Sequence, residues 1–420
     1  VPRALPVFGR EAMAECRVKL LAYLLGDGSL TAASPSFTND NPLIQEDFLA
    51  AVAEFGSLKA SLDTRPDRAT NIRVAADSTQ IQRHRWQFAR RLRQALAAAN
   101  VSQRQVALAI GASSASVCGW LQGTAMPGER FFDRLCDLFA TPEPDWIPEG
   151  RLAATNNAPS ALSRWLEELG LTGKDAHAKT IPDGILRLPR PQLALFLNRL
   201  FATDGWATRL ASGQSQLGYA SVSEALVRRL QHLLLRFGII AKLKRRTIRL
   251  EGKTFGAWQL DITDAQSIRT FLDEIGIFGK EEALARVREA LDSRRYQTNR
   301  DLIPVAFWER LSARKGSETW RHLAERAGLA GSSNIHVGRR ALSRIRLEKL
   351  ALALDDRGLL DLARSQVYWD EITEIKYLGE KQVYDLTIPE THNFVANDIC
   401  VHNTSFAMNL AENVALEVKR

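Results

Sequence analysis

The sequence predicts an α+β protein built on a duplicated α/β unit, and three observations predict it. First, Leu24-Leu25-Gly26-Asp27-Gly28 and Phe201-Ala202-Thr203-Asp204-Gly205 each close an apolar helical run with Asp-Gly, at an offset of 177 residues. Second, Leu166 to Lys174 matches Leu272 to Lys280 at an offset of 106, so the copies differ in length by 71 residues. Phe55-Gly56 pairs with Phe237-Gly238 at an offset of 182, which places the surplus after Gly56 in the first copy. Third, the surplus itself has helical spacing, whereas the chain closes on an alternating run that reads as strands.

Taken in order, residues 1–82 form the first repeat: a helix ending at Asp27, two short strands, a helix and two more strands. Residues 83–153 are an inserted all-α module, and 154–182 supply the closing helix of the first repeat. Residues 183–300 repeat the αββαββα order. There Ser223 to Phe237 carries a helical stripe, and Ala241 to Leu250 with Phe255 to Ile262 alternates as a β pair. Residues 301–365 form a further helical block, 366–403 a C-terminal β segment, and 404–420 a separate short tail.

Composition bounds the function. A chain of 420 residues with 45% apolar and 25% charged residues is a soluble multi-domain protein, expected in the cytoplasm, and no apolar run is long enough for a membrane span. It opens on Val with no signal-like stretch, so it is read as beginning inside a longer reading frame. Cysteines 16, 118, 136 and 400 lack metal-ligand spacing and are expected as packed thiols, although Cys400 stands close enough to Asn403 to modulate chemistry there. The net charge of +8 permits a polyanionic partner.

The repeat with its paired Asp-Gly helix ends resembles the LAGLIDADG homing endonucleases over about 1–82 and 154–280. The resemblance implies that the two helices each deliver one carboxylate, making Asp27 and Asp204 the catalytic and metal-binding pair. Two aspartates so placed repel each other and the helix dipoles unless divalent cations share them, so Mg2+ is the expected cofactor for hydrolysing both DNA strands. Lys179, in Lys179-Thr180-Ile181-Pro182, resembles a family motif that places a lysine near the metals. Lys242 or Lys253 would serve the second copy. Arg199 and Thr203 depart from the small residues that close helix packing favours, which sets against the nuclease an alternative: a catalytically inactive DNA-binding remnant. Outward strand residues Lys59, Arg65, Arg68 and Arg73, with Lys244, Arg246 and Arg249, are candidate DNA contacts. The same alternation also describes an ordinary solvated sheet face.

In the insert, Ser102 to Gly111 followed by Ser113 to Gly123 spaces two helices around a glycine turn. This resembles the helix-turn-helix of phage-repressor-like proteins. The resemblance implies DNA contact by Gln103, Ser113, Ser114 and Ser116, although the second helix is poor in Arg and Lys. The block 301–365, with Trp320 to Gly328 and the basic run Arg339, Arg340, Arg344, Arg346, hints at another such motif or at a spacer.

At the C-terminus, the Asn403 amide can close a five-membered ring on its own carbonyl and expel Thr404. His402 is placed to protonate the leaving nitrogen, and the Thr404 hydroxyl is placed to accept an acyl group. The run Tyr384-Asp385-Leu386 through His392-Asn393-Phe394-Val395-Ala396-Asn397-Asp398 resembles the C-terminal splicing motif of inteins, with Asp385 and His392 at matching positions and the strands forming part of a Hint fold. No cofactor is needed for that chemistry. Thr404 to Asn413 resembles the helix after the phosphate-binding loop of replicative helicases of the DnaB family, without the Gly-Lys half of that loop. The reading that unites these resemblances is an intein fragment. It would cut the intein-less helicase gene and perform the C-terminal splicing steps, with double-stranded DNA and a missing N-terminal intein and extein half as partners. ATP binding and homo-oligomerisation would belong to the complete spliced helicase.

Overall fold

The computed structural model describes residues 1–156, 158–250, 253–293, 301–329, 338–370, 372, 375–377, 379–380, 382, 388–390, 392–402 and 415–416. The chain divides into two units, Ala12–Pro182 and Val1–Glu11 with Asp183–Arg420. Residues 1–11 thus group with the second repeat, where the sequence had placed them at the head of the first.

The unit spanning 12–182 opens with α1 (Glu15–Asp27), which is apolar on nearly every side and accordingly buries Val18 and the run Leu20 to Leu25. Strands β1 (Gly28–Ser29) and β2 (Ser36–Thr38) lead to α2 (Pro42–Phe55). Asn41 caps that helix by accepting from the Leu43 amide, with Pro42 at its first position. Strands β3 (Leu58–Arg65) and β4 (Arg68–Ala76) complete an antiparallel sheet of order β1-β2-β4-β3. Its register puts Phe37 opposite Ile72 on the buried face and Ser36, Arg73 and Ser61 in a row on the other.

The insert comprises α3 (Ser78–Ala98), α4 (Gln103–Ile110), α5 (Ser114–Gln122), α6 (Glu129–Leu138) and α7 (Glu143–Trp146). It has its own core of Phe88, Leu92, Val106, Val117, Trp120, Phe132 and Trp146. A core of this kind, at about 25 cal/mol per Å² of buried apolar surface, holds the helices of the insert on one another. The unit closes with α8 (Ala161–Glu168).

The second unit repeats the pattern. After α9 (Asp183–Leu186), α10 (Arg190–Asp204) runs into β5 (Gly205–Arg209) and β6 (Ser215–Ser221). Then come α11 (Glu224–Arg236), β7 (Lys242–Leu250), β8 (Lys253–Ile262), α12 (Ala265–Glu274) and α13 (Glu281–Asp292). The sheet order β5-β6-β8-β7 matches that of the first unit strand for strand.

A small helical module follows: β9 (Leu302–Ile303), α14 (Phe307–Lys315), α15 (Trp320–Arg326), β10 (Leu342–Ser343), α16 (Arg344–Ala353) and α17 (Arg357–Arg364). Trp308, Leu311, Leu323, Leu347, Leu350 and Leu359 form its core. Buried Asp301 holds it to the N-terminal segment, taking Arg344 at 2.7 Å and Arg3 at 2.6 Å.

The C-terminal segment corrects the fold expectation. Among the described residues it contributes β11 (Ile375–Lys376), the hairpin β12 (Asn393–Ala396) with β13 (Ile399–His402), and β14 (Ala415–Leu416) paired to β11. These are two-stranded pairings in a mixed α+β chain whose sheets are small and open; the expected part of a closed Hint fold is not among them. The Asn397-Asp398 turn anchors the hairpin, with Asp398 Oδ1 at 2.5 Å from His232 Nδ1 on α11. Arg236 donates to the other ring nitrogen of His232 at 3.2 Å.

Candidate nucleic-acid interface

The α4–α5 pair has helix-turn-helix geometry, and its residues make it so. Ser102 and Gln105 form a reciprocal capping box at the start of α4. Gly111 then takes φ 71°, ψ 30°, the left-handed conformation that ends a helix where a β-carbon would be strained. Ser113 caps α5, its Oγ accepting from the Ser116 amide at 3.0 Å. Of the predicted contacts, Gln103 Nε2 donates to the Ser114 carbonyl at 2.7 Å and so ties the two helices together. Ser113 and Ser116 hydroxyls lie 2.8 Å apart, and Ser113 through Ser116 are all exposed. The residues proposed to touch DNA therefore also build the turn that presents them.

The sheet faces are more self-satisfied than the sequence suggested. On the first, Lys59, Arg65, Arg68 and Arg73 are exposed, but Asp63 takes Arg65 at 3.1 Å and also Arg68. The Arg65 hydrogen bond, with the charges of both arginines, holds the Asp63 carboxyl below the usual carboxylate range. On the second, Asp261, 2% exposed, accepts from Lys244 at 2.7 Å and from Gln216 and Gln259 at 2.6 Å each. Arg246 donates to Gln259 at 3.1 Å. Lys242 stands opposite Asp261 in the register. The side chains of Lys253 and Arg249 lie outside the described residues.

The two Asp-Gly helix ends share one device. A β-carbon on Gly28 would sit 2.4 Å from the Leu24 carbonyl oxygen, and one on Gly205 2.5 Å from that of Phe201. Glycine is thus required for each strand to leave its helix so sharply. Lys179, 5% exposed, donates to the Gly26 and Gly28 carbonyls at 2.9 and 2.7 Å. Lys280 does the same in the second unit, donating to Thr203 and Gly205 at 2.9 and 2.5 Å. A lysine ammonium on the last carbonyls of a helix satisfies acceptors that no amide reaches. Sequence reasoning named Lys242 or Lys253 for the second copy and missed Lys280. The repeat alignment set Lys280 against Lys174, five residues short of Lys179, and so hid the equivalence.

Asp27 ends α1 in one unit, where it accepts from Asn39 Nδ2 at 2.9 Å, and Asp204 ends α10 in the other, exposed. Arg199, the departure noted in the sequence, lies with its guanidinium 4.0 Å from the Phe278 ring centre. Among the described residues no three His, Cys, Asp or Glu side chains gather as a metal site would require. Magnesium is held by carboxylates and waters in a near-octahedral shell, and no cluster among the described residues supplies the protein's share of one. The expected cofactor, and with it the magnesium-dependent endonuclease, is corrected accordingly.

The splicing expectation falls with the Hint fold that was to support it. His392 is exposed with φ 53°, its amide donating to Ile388 at 3.2 Å. Asp385, Asn403, Thr404 and the side chain of His402 lie outside the described residues. ATP binding, expected only of the complete spliced helicase, falls with the splicing expectation.

Comparison with known proteins follows this division. Residues 191–276 match a LAGLIDADG-like domain and residues 87–146 a helix-turn-helix domain. The chain is 34% identical over 258 residues to the replicative DNA helicase DnaB of Nostoc sp., covering 60% of this chain and 29% of the helicase. It is 36% identical over 251 residues to the same protein of Rhodothermus marinus, covering 58% and 26%. It is also 28% identical over 275 residues to elongation factor 2 of Methanopyrus kandleri, covering 62% and 20%. The chain therefore spans less than a third of each of these relatives. Among solved structures, full-length DUF199/WhiA from Thermatoga maritima aligns at 15% identity and a TM-score of 0.31, covering 86% of this chain and 95% of that one. A LAGLIDADG-like domain and a helix-turn-helix domain thus sit in a chain that partially matches DnaB helicases. Among the described residues no helix is long and apolar enough to cross a membrane.

Proposed function

We propose that the chain is a catalytically inactive DNA-binding insert, descended from an intein and carried within a replicative DNA helicase. The observation that carries the DNA-binding part is the α4–α5 pair, with Ser113, Ser114 and Ser116 exposed at the start of the second helix. The origin rests on the pattern of relatives. About three-fifths of this chain resembles a minor part of DnaB, and about three-fifths a minor part of elongation factor 2, as expected of an element inserted in unrelated hosts. The candidate contacts in this reading are Gln103, Ser113, Ser114, Ser116, Arg65 and Arg73 in one unit and Lys244 and Arg246 in the other, and its partners are double-stranded DNA and the flanking helicase segments.

The test separates binding from folding. Ser116 is the third helical residue after the Ser113 cap, so Ser116→Glu completes a capping box and places an acid in the first turn, both of which favour the helix. The same acid repels phosphate. In gel-shift titrations with a duplex of the uninterrupted helicase gene, the wild type should retard the DNA without cutting it. Ser116→Glu should melt no lower yet bind about tenfold more weakly, the loss of one contact worth roughly 1–3 kcal/mol. Unaltered binding by Ser116→Glu, or linearised DNA with the wild type, would contradict the proposal.

A further inference from the structure

We propose that the helical module 301–365 carries a second DNA-contacting surface, a cationic strip of Arg339, Arg340, Arg346 and Lys349 that grips phosphates. The inference rests on the DNA-binding reading above and deepens it. The module holds twelve Lys and Arg against eight Asp and Glu, and of the cations that face no acid among the described residues four lie close together in sequence between Arg339 and Lys349, with Lys315 and Arg357 apart from them. Arg310 and Arg314 face Asp356, Arg321 faces Glu325, Arg326 faces Glu318, Arg344 faces Asp301 and Arg364 faces Glu348. No carboxylate among the described residues pairs with the four cations of the strip.

The strip is also held in place. The Trp308 indole donates to the Arg340 carbonyl at 2.7 Å. β10 follows, paired to β9, and Ser343 then caps α16 by accepting from the Arg346 amide at 3.4 Å. Arg346 and Lys349, three residues apart, share one face of that helix. On the same side Ile345 is 62% and Leu352 59% exposed, large apolar side chains interleaved with charge. Cations without counter-ions on a rigid turn and helix suit a polyanion, and apolar neighbours suit the sugars and thymine methyls beside its phosphates.

The experiment measures affinity of the full chain for a labelled duplex of the helicase gene by fluorescence anisotropy between roughly 50 and 200 mM salt. Each phosphate contact adds about 0.9 to the slope of log affinity against log salt. The R339Q/R340Q/R346Q/K349Q variant should therefore show a slope shallower by about 3.6 and an affinity at least tenfold lower at the low-salt end. The paired-arginine control R321Q/R364Q should follow the wild type, and thermal melts should match throughout. A strip variant with wild-type slope, while Ser116→Glu still weakens binding, would assign the strip to a protein surface and overturn this proposal alone. A control that loses as much slope would reduce the effect to net charge and overturn it too. A wild type that binds no DNA would remove both proposals.

Discussion

Lys179 spends its charge inside the protein. Its ammonium satisfies the carbonyls of Gly26 and Gly28 at the end of α1, and the side chain is 5% exposed. Replacing it by Met keeps the stem and leaves two carbonyls without their donor, so Lys179→Met should cost about 2–4 kcal/mol in chemical denaturation. A variant as stable as the wild type would show that these bonds contribute nothing. The sequence could not distinguish this use of a lysine from phosphate contact, because both need a cation after the same helix. Asp261 makes the same point from the other side: read along β8 it is one polar residue in an alternating strand, yet folding surrounds it with Lys244, Gln216 and Gln259. Cross-strand partners 17 and 45 residues away are not legible in a local pattern.

The helix-turn-helix was legible because everything that defines it is local. A capping serine, a left-handed glycine and a second capping serine lie within twelve residues, Ser102 to Ser113. The helical module after the repeats was less so, since its distinguishing contacts run from α14 to α17 and from α16 to the N-terminal segment. One of them has a pH signature. Asp356 caps α17, and its hydrogen bond from the Leu359 amide, aided by Arg310 and Arg314, holds the carboxyl below the usual range. A depressed folded value means that the contribution is present above the unfolded carboxylate range and is lost as pH falls through the folded value. Acid titration followed by circular dichroism should therefore show the module loosening below about pH 4. Asp356→Asn, which retains a capping oxygen but does not titrate, should flatten part of that loss. An identical acid profile for the variant would discount the cap.

For the whole chain, the expectation of a magnesium enzyme gives way to the proposal of a protein that holds DNA. Magnesium in the millimolar range should leave the thermal midpoint where a chelator leaves it, since a cation bound at 100 times its dissociation constant would add about 2.7 kcal/mol and a visible shift. A midpoint that rises several degrees with magnesium would restore a metal site. Both Asp-Gly junctions were read from the sequence alone, together with the duplication, the place of the insertion and the two helices of the helix-turn-helix. Those features are set by periodicity, by glycine's freedom and by short-range caps, all of which are written in neighbouring residues. Tertiary structure alone decided which lysine closes the second helix, which cations are already neutralised by an acid and which are left without one. It also decided that, among the described residues, the C-terminal strands pair in twos. These outcomes depend on which distant side chains come within about 3 Å of one another, a distance that spacing along a chain does not encode.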